Sequence, residues 1–216
     1  MQDIPEDYTI GSKPFLGCTI YLDSKPLIPR NETEWWVERA LEKIKNRTPL
    51  RVLDLFAGSG CIGVSVLKHV PHAYVVFGEL EERHIVTISK NVLMNGIDPT
   101  RTEYRVTDVW NNIRDTYDVI LANPPYLARS RIERVQKSVL DHEPHEALFA
   151  GNNGFSLIEQ TIQGLPQYLL KGGEAWIEHE PEHQAPIALL SNKLGLVAES
   201  CTDQYGVIRY SVILNP

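Results

Sequence analysis

The amino-acid sequence predicts a single α/β domain organised around a mostly parallel β-sheet. Short apolar runs typical of buried strands alternate along the chain with segments of helical periodicity, which is the pattern of a parallel sheet covered by helices. A glycine-rich turn joins the first strand of this alternation to the helix that follows, as in nucleotide-binding folds. The 216 residues, 43% of them hydrophobic, suit one domain with a substantial core better than two small domains.

Composition argues against several classes of protein. The N-terminus lacks a basic segment followed by an apolar run, and no apolar stretch approaches the roughly 18 residues of a membrane span, so we expect a cytoplasmic protein. The formal net charge of −7 argues against binding nucleic acid mainly through its phosphates and favours a basic or neutral partner. The cysteines Cys18, Cys61 and Cys201 lack the spacing of a disulfide framework or a thiolate metal site, and small-residue packing explains them.

Residues 1–30 are predicted to form an N-terminal flap packed on the main domain, which spans residues 31–216. Within the flap, the apolar alternation of Cys18, Ile20 and Leu22 is typical of a short strand or hairpin. We therefore expect a small hairpin ahead of the main sheet.

The main domain begins with a helix for which Asn31 or Thr33 is a suitable N-cap, and Trp35 and Trp36 are expected to pack this helix against the core. Strands are then predicted at Leu50–Phe56, Ala73–Gly78, Glu103–Val106, Asp118–Ala122, Gly173–Glu178, Leu196–Cys201 and Ile208–Leu214. Helices are predicted from the glycine turn to His69 and at Glu82–Asn95, Gly154–Tyr168 and Ala185–Lys193. The last two strands form a hairpin that adds one antiparallel strand to the sheet.

The glycine turn predicts a ligand site of the nucleotide-binding type. Gly58, Gly60 and Gly63 follow the spacing G-x-G-x-x-G, and glycines let the backbone approach a ligand closely. Asp54, near the end of the preceding strand, can pair with the positive charge of an amine or ammonium group. The same spacing occurs in dinucleotide oxidoreductases, and a tight structural turn is the alternative explanation.

Two further acidic positions follow strand ends. Glu79 lies about 20 residues beyond the glycine turn, where ribose hydroxyls are usually held, whereas Glu81 and Glu82 fit the acidic first turn of a helix. Asp108 is able to accept from the exocyclic amine of a base, and Trp110 to pack on its ring. The alternative for this pair is an ordinary helix cap and a core aromatic residue.

The segment Asn123-Pro-Pro-Tyr126 is predicted to be a catalytic loop, because it directly follows an apolar strand. A planar NH2 group is a poor nucleophile unless it is oriented and polarised. The side-chain oxygen of Asn123 and the carbonyl of Pro124 can each accept one of its N–H bonds. Pro124 and Pro125 stiffen this backbone, and Tyr126 offers a flat face to a planar substrate. The alternative is a plain turn that ends the strand.

Two other segments allow competing interpretations. The polar run 128–138, with Arg129, Arg131, Arg134 and Lys137, suggests a mobile lid that contacts a macromolecule, or else a solvated surface helix. Residues His179–His183 match the H-E-x-x-H zinc motif, which requires both histidines on one helix face. The preceding strand and Pro181 disfavour a helix there, so no metal site is expected.

Five blocks together resemble the class I S-adenosylmethionine-dependent methyltransferases, and specifically the HemK/PrmC family, which methylates a glutamine amide nitrogen of peptide release factors. The blocks are Leu27–Glu34, Val52–Gly60, Asn123–Tyr126, Glu143–Gly151 and Asp203–Arg209. The resemblance implies a Rossmann-like fold with a mostly parallel seven-stranded sheet, helices on both faces, an antiparallel C-terminal strand and an N-terminal hairpin flap. The family usually carries a further N-terminal helical domain that helps to dock the release factor, whereas this sequence begins almost at the catalytic domain.

The resemblance also implies roles for individual residues. Asp54 and Gly58 would line the methionine end of S-adenosylmethionine, Glu79 would hold its ribose, and Asp108 and Val109 would lie at its adenine. The other implied cofactor contacts are Phe56, Gly60, Leu80 and Asn123. The implied contacts of the acceptor glutamine are Asn123, Pro124, Pro125 and Tyr126, with Arg30, Glu32 and Thr33. The chain departs from the family at Asn31, where proline is usual, at Glu79, where aspartate is usual, and over residues 178–184.

The implied reaction transfers a methyl group from S-adenosylmethionine to the glutamine of a release factor, without a metal, and leaves S-adenosylhomocysteine. Three other functions fit parts of the sequence. An exocyclic amine of adenine or guanine in RNA or DNA is methylated with the same Asn-Pro-Pro-aromatic loop, although the negative charge disfavours nucleic acid. The second is a cofactor-binding subunit without catalysis, against which the intact Asn123–Tyr126 and Asp54 argue. The third is an NAD oxidoreductase, which only the glycine spacing supports.

Overall fold

The computed structural model describes residues 4–134, 137–151 and 153–216, and its centre is a seven-stranded β-sheet. A separate two-stranded hairpin precedes it, with β1 at Ser12–Phe15 and β2 at Cys18–Tyr21. The strands of the main sheet are β3 (Leu50–Leu55), β4 (Ala73–Glu79), β5 (Thr102–Val106), β6 (Tyr117–Ala122), β7 (Leu169–Glu178), β8 (Val197–Thr202) and β9 (Ile208–Leu214). The helices are α1 (Glu6–Ile10), α2 (Asn31–Ile44), α3 (Cys61–His69), α4 (Glu82–Met94), α5 (Lys137–His142), α6 (Ser156–Tyr168) and α7 (Gln184–Lys193).

The strand order is β5-β4-β3-β6-β7-β9-β8, and β9 is antiparallel to both of its neighbours. β3 pairs in parallel with β4 on one side and with β6 on the other, so the chain order reverses at β3. Leu55 lies level with Gly78 and with Ala122, which aligns the ends of the three strands. Ligands of such sheets bind at this switch point, outside the carboxyl ends of the strands. The predicted fold class is confirmed, including the single antiparallel strand.

Helices cover both faces of the sheet, as expected for central strands such as β3 and β6 that are buried at most positions. On one face, Val52 of β3 belongs to a core that includes Trp36 of α2 and Val64 of α3. On the other face, Leu53 packs in a core with Ile162 of α6. All five side chains are fully buried. Among the described residues, no helix combines the length and the apolarity that a membrane span requires.

The N-terminal hairpin is held against α4 and the glycine turn by hydrogen bonds of Asn91. Its Oδ1 accepts the N–H of Tyr21 at 2.8 Å, and its Nδ2 donates to the carbonyls of Tyr21 at 3.1 Å and Ser59 at 2.9 Å. The predicted hairpin is therefore present, preceded by the short helix α1, which the apolar pattern did not predict. The division of the chain at residue 30 remains a prediction.

Two local predictions differ from the structure. Neither Asn31 nor Thr33 caps α2, because Arg30 occupies the N-cap position and the Thr33 hydroxyl bonds to a distant side chain instead. The run 128–138 is not one surface helix: a 3₁₀ turn at Arg129–Arg134 is followed by α5 from Lys137, and positions 135 and 136 lie outside the described residues. Its predicted role as a lid stays a prediction.

Gly63 sets how closely α3 can approach β4, which leads to a test of the packing. A Cβ atom at Gly63 would overlap the Phe77 ring and lie 2.9 Å from Val75 Cγ1. Helix propensity alone would make Gly63→Ala stabilising by about 1 kcal/mol. We expect it to lower the free energy of unfolding by roughly 1–3 kcal/mol instead, because the core must shift.

Urea denaturation measures the effect, with Lys68→Ala on the exposed side of the same helix as the control. A Gly63→Ala variant as stable as the wild type would contradict the close packing of α3 on the sheet.

Candidate active site

Two adjoining cavities open at the carboxyl ends of β3, β4, β6 and β7. The first is lined by residues that end or follow β3, β4, β5 and β6, namely Leu55, Phe56, Gly58, Gly78, Glu79, Leu80, Glu81, His84, Thr107, Asp108, Val109, Asn123 and Pro125, with Leu27, Ala147 and Leu157. The second is lined by Leu27, Arg30, Glu32, Asn123, Pro124, Tyr126, Leu127, Val139, Ala147, Leu148, Glu178, Glu180 and Arg209. Asn123 lies on the wall of both cavities.

The glycine turn places backbone rather than side chains at the first cavity. Phe56 and Gly58 have φ angles of 63° and 56°, in the left-handed region that most side chains avoid. A Cβ atom at Gly58 would meet only Pro26, at 4.0 Å, so packing within the protein does not exclude a side chain at this position. At Gly60, by contrast, an added Cβ would lie 2.9 Å from Ile88. Gly58 thus leaves open space beside the cavity, whereas Gly60 is required by its contact with α4 and Gly63 by the packing of α3 on β4.

Glu79 closes the far side of the turn and is almost fully buried. Its Oε2 accepts the N–H of Gly58 at 2.7 Å, and its Oε1 accepts the N–H of Glu81 at 2.9 Å. Burial raises the pKa of Glu79, and these backbone N–H groups partly offset that rise. Each carboxylate oxygen has a second lone pair, so Glu79 can accept further hydrogen bonds from a ligand.

Asp54 lies beneath the turn and is fully buried. Its Oδ2 accepts the N–H of Gly63 at 2.8 Å, which places a carboxylate at the N-terminal turn of α3. Its Oδ1 has no hydrogen-bond partner among the described residues. Burial raises the pKa of Asp54 well above its usual value, and the nearby Glu79 raises it further, against the effect of the Gly63 N–H. Direct contact of Asp54 with a cofactor stays a prediction.

The turn after β5 supplies the opposite wall of the first cavity. Val109 has a φ angle of 49°, a strained conformation for a β-branched residue, and strain of this kind is concentrated at functional sites. The Thr107 hydroxyl donates to the carbonyl of Val109 and accepts the N–H of Asn112, both at 3.1 Å, which holds the turn. Asp108 and Val109 line the cavity. Trp110 turns away, stacks on Tyr168 with ring centroids 4.6 Å apart, and is therefore a packing residue.

A buried carboxylate, Glu178, organises the residues around the second cavity. Glu178 ends β7, is 1% exposed, and its Oε2 accepts from the Thr33 hydroxyl at 2.6 Å and from Trp36 Nε1 at 2.7 Å. Its Oε1 accepts from the Tyr126 hydroxyl at 2.9 Å. Burial raises the pKa of Glu178, and the three hydrogen bonds act in the opposite direction.

Asn123 joins this network through Thr33, since its Nδ2 donates to Thr33 Oγ1 at 3.2 Å. The pairing of β6 with β7 brings Asn123 and Glu178 to the same sheet edge, because Ala122 lies level with Ile177. Tyr126 lines the second cavity, and its hydroxyl donates to Glu178. Its contact with an acceptor stays a prediction. Sequence reasoning did not select Glu178, although a carboxylate at the end of a buried strand beside β6 was a usable signal.

Two arginines on the wall of the second cavity each bond to a buried carboxylate. Arg30 Nη2 donates to Glu143 Oε1 at 2.6 Å, and Glu143 also accepts the N–H of Ile28 at 3.2 Å. Arg209 donates through Nε to Asp203 and through Nη1 to Glu180, both at 3.2 Å. Glu143, Asp203 and Arg209 lie in blocks that carried the family resemblance, and sequence reasoning assigned no role to them.

The histidines of the H-E-x-x-H segment do not share a helix. His179 directly follows β7, with Nε2 2.7 Å from Ser211 Oγ, and His183 ends a 3₁₀ turn at Pro181–His183. Their ring centroids are 6.4 Å apart. Within the described part of the chain, no group of three or more His, Cys, Asp or Glu side chains is arranged to hold a metal ion.

Comparison with known proteins gives consistent matches over most of the chain. Residues 38–209 match the family described as the methyltransferase small domain. The chain is 33% identical over 178 residues to the release factor glutamine methyltransferase of Flavobacterium psychrophilum, covering 81% of this chain and 62% of that protein. It is 34% identical over 210 residues to the protein of the same name from Bordetella pertussis, covering 96% of this chain and 76% of the relative.

The fold also matches a solved structure. The ribosomal protein L11 methylase of Lactobacillus delbrueckii subsp. bulgaricus aligns with a TM-score of 0.66 and 15% identity, over 89% of this chain and 82% of that one. At this identity the match shows a shared fold. Against the relatives from Flavobacterium psychrophilum and Geobacter sulfurreducens, the chain spans 62% and 60% of the full length.

The buried carboxyl of Asp54 predicts an unusual pH dependence of stability. Because the folded-state pKa of Asp54 lies above the unfolded value of about 3.9, its ionisation destabilises the folded protein at neutral pH, and this cost disappears as the pH falls toward the unfolded value. Asp54→Asn cannot ionise. We therefore expect the urea midpoint of Asp54→Asn, relative to wild type, to rise as the pH is raised from about 4 to 8.

Asp98→Asn is the matched control with the opposite sign. Hydrogen bonds from Thr100 lower the pKa of the exposed Asp98, so its ionised form favours folding. That stabilisation is lost only as the pH falls below the unfolded value of about 3.9, so the loss in Asp98→Asn should stay nearly constant from about pH 5 to 8. A stability difference between Asp54→Asn and wild type that does not vary with pH would contradict the inferred cost of burying this carboxylate.

Proposed function

Because this chain belongs to the family of the release factor glutamine methyltransferases and carries the methyltransferase small domain, we propose that it methylates a protein glutamine. The methyl group comes from S-adenosylmethionine, and the acceptor is the side-chain amide nitrogen of the Gly-Gly-Gln motif in a peptide chain release factor. The family resemblance inferred from the sequence is confirmed by the same matches. The observation that carries the proposal is the position of Asn123 between the two cavities.

The first cavity has the features that a nucleoside-type cofactor requires. Gly58 leaves space for close approach, Glu79 keeps free acceptor positions for ribose hydroxyls, and Phe56, Leu80 and Val109 provide apolar surface. Asp54 and Gly58 would hold the methionine end, Glu79 the ribose, and Asp108 with Val109 the adenine. When bound, S-adenosylmethionine supplies an electrophilic methyl group whose leaving group is a neutral thioether, so the reaction itself calls for no metal.

The second cavity supplies the groups that prepare an amide nitrogen for attack. With Nδ2 of Asn123 donating to Thr33, its Oδ1 is available as an acceptor, and the carbonyl of Pro124 is the second acceptor in our proposal. Two acceptors hold the two N–H bonds of the glutamine NH2 group and favour the tetrahedral geometry in which the nitrogen lone pair is no longer delocalised. Both bonds strengthen as the nitrogen gains positive charge, which lowers the barrier. The surplus proton is then lost to water.

The charges around the second cavity favour a protein acceptor over nucleic acid. Glu32 and Glu180 line it together with the buried Glu178, whereas Arg30 and Arg209 already bond to carboxylates. A phosphate backbone entering here would meet more negative charge than free positive charge, in a chain of net charge −7. Because release factors act in translation termination, the proposal also places this chain in the cytoplasm.

Glu79 tests the cofactor part of the proposal. If Glu79 accepts from both ribose hydroxyls, Glu79→Ala removes charge-assisted bonds worth roughly 1.5–3 kcal/mol and should weaken S-adenosylmethionine binding by about 10- to 100-fold. Calorimetry measures this affinity, and Glu82→Ala in the first turn of α4 is the control that should bind normally. If Glu81→Ala shows the loss in place of Glu79→Ala, the assignment of the ribose to Glu79 is wrong.

Asn123 tests the chemistry. Asn123→Ala should leave cofactor affinity nearly unchanged and slow methyl transfer by at least ~100-fold, because it removes an acceptor whose bond strengthens in the transition state. Mass spectrometry of a co-incubated release factor should show one added methyl on the Gly-Gly-Gln glutamine with wild type, and a loss of that signal with Asn123→Ala. Asn192→Ala, on the exposed side of α7, is the control.

Transfer of a labelled methyl group from S-adenosylmethionine into a cell lysate distinguishes a protein acceptor from a nucleic-acid acceptor. If nuclease removes the radioactivity, protease does not, and the release factor stays unmodified, then the acceptor is an exocyclic amine of a nucleobase and not a glutamine.

A further inference from the structure

We propose that Thr33 and Glu178 are positioning residues that set which end of the Asn123 amide faces the acceptor. This inference rests on the proposed function, in which Asn123 must present its oxygen to an NH2 group. It gives Thr33 a role through Asn123, in place of the direct contact with the acceptor that the sequence predicted. Thr33 is 2% exposed, and its hydroxyl oxygen lies 2.6 Å from Glu178 and 3.2 Å from Asn123.

The direction of the chain of hydrogen bonds follows from counting protons. Trp36 Nε1 is a donor with no acceptor capacity, so its 2.7 Å bond makes Glu178 Oε2 an acceptor. The ionised carboxylate of Glu178 can only accept, so Thr33, which bonds to that same oxygen at 2.6 Å, donates its single hydroxyl proton to Glu178. The Thr33 oxygen is left with lone pairs only, so it can accept from Asn123 but cannot donate to it.

Asn123 must consequently turn its NH2 end toward Thr33 and its carbonyl oxygen away. The two ends of an asparagine amide are nearly equal in size, so packing does not distinguish them and only hydrogen bonding does. In the opposite orientation, Asn123 would set its own NH2 against the NH2 of the acceptor, two donors with no proton acceptor between them. Glu178 thus determines, through the Thr33 hydroxyl, which end of the Asn123 side-chain amide faces the acceptor.

Thr33→Val tests this, because it keeps the shape of the side chain and removes the hydroxyl. We expect kcat for methyl transfer to fall by about 10- to 100-fold, with cofactor affinity unchanged. A misoriented Asn123 loses part of the transition-state stabilisation that Asn123→Ala removes completely. Thr33→Ser should restore most of the rate. Thr161→Val, which removes a similarly buried hydroxyl from α6, is the control for general loss of stability.

A double-mutant cycle separates a role through Asn123 from an independent one. If Thr33 acts only by orienting Asn123, adding Thr33→Val to Asn123→Ala should cause no further loss of kcat. Independent, multiplying losses would overturn the proposal, as would a Thr33→Val enzyme with the wild-type kcat. If Thr33→Val does not fold, Thr33→Ala, which adds no atoms, takes its place.

A readout without turnover keeps this inference separate from the proposed function. The side-chain NH2 signals of Asn123, identified by their loss in Asn123→Ala, should exchange slowly with solvent in wild type and Thr33→Ser, and faster in Thr33→Val. If wild type methylates no glutamine, the proposed function fails, and these signals still decide the orientation. Equal exchange rates in wild type and Thr33→Val would overturn the orienting role of Thr33.

Discussion

Every candidate functional feature of this chain depends on the parallel pairing of β3 with both β4 and β6. A parallel sheet sends the carboxyl ends of its strands to one edge, and the reversal of strand order at β3 opens a crevice between the segments that leave that edge. Phe56, Leu80 and Asn123 come from three separate parts of the sequence and meet at this crevice. The neighbouring strand β7 extends the same edge and adds Glu178, which gives the second cavity its buried charge.

Three buried carboxylates at this edge show how the fold balances stability against a preorganised site. Asp54 accepts from the first turn of α3, Glu79 from the glycine turn, and Glu178 from three side chains. Burial raises the pKa of all three, so each ionised group costs folding free energy that its hydrogen bonds only partly offset. Groups of this kind persist where the surrounding structure holds them firmly, and the cost is consistent with a site built before its ligands arrive.

Segments outside the main sheet complete both cavities. The hairpin is bound to α4 and to the glycine turn through Asn91, and the chain that leaves it passes Pro26 and Leu27 over the first cavity. Helix α2 contributes Thr33 and Trp36 to the carboxylate of Glu178. The arrangement of the cavity walls therefore depends on contacts between segments that are remote in the chain.

Local residue patterns were enough to predict the alternation of strands and helices, most of their bounds within a few residues, and the segments that reach the crevice. These properties follow from local periodicity and from turn residues such as Gly58 and Pro124. Hydrogen-bond partners, in contrast, are defined by the tertiary structure. Threonine is a residue type that often caps helices, yet the Thr33 hydroxyl bonds to Glu178, 145 residues away. Trp110, which the sequence allowed as a ligand contact, stacks on Tyr168 of α6. Such partners depend on strand order and on which helix face is buried, and local spacing encodes neither.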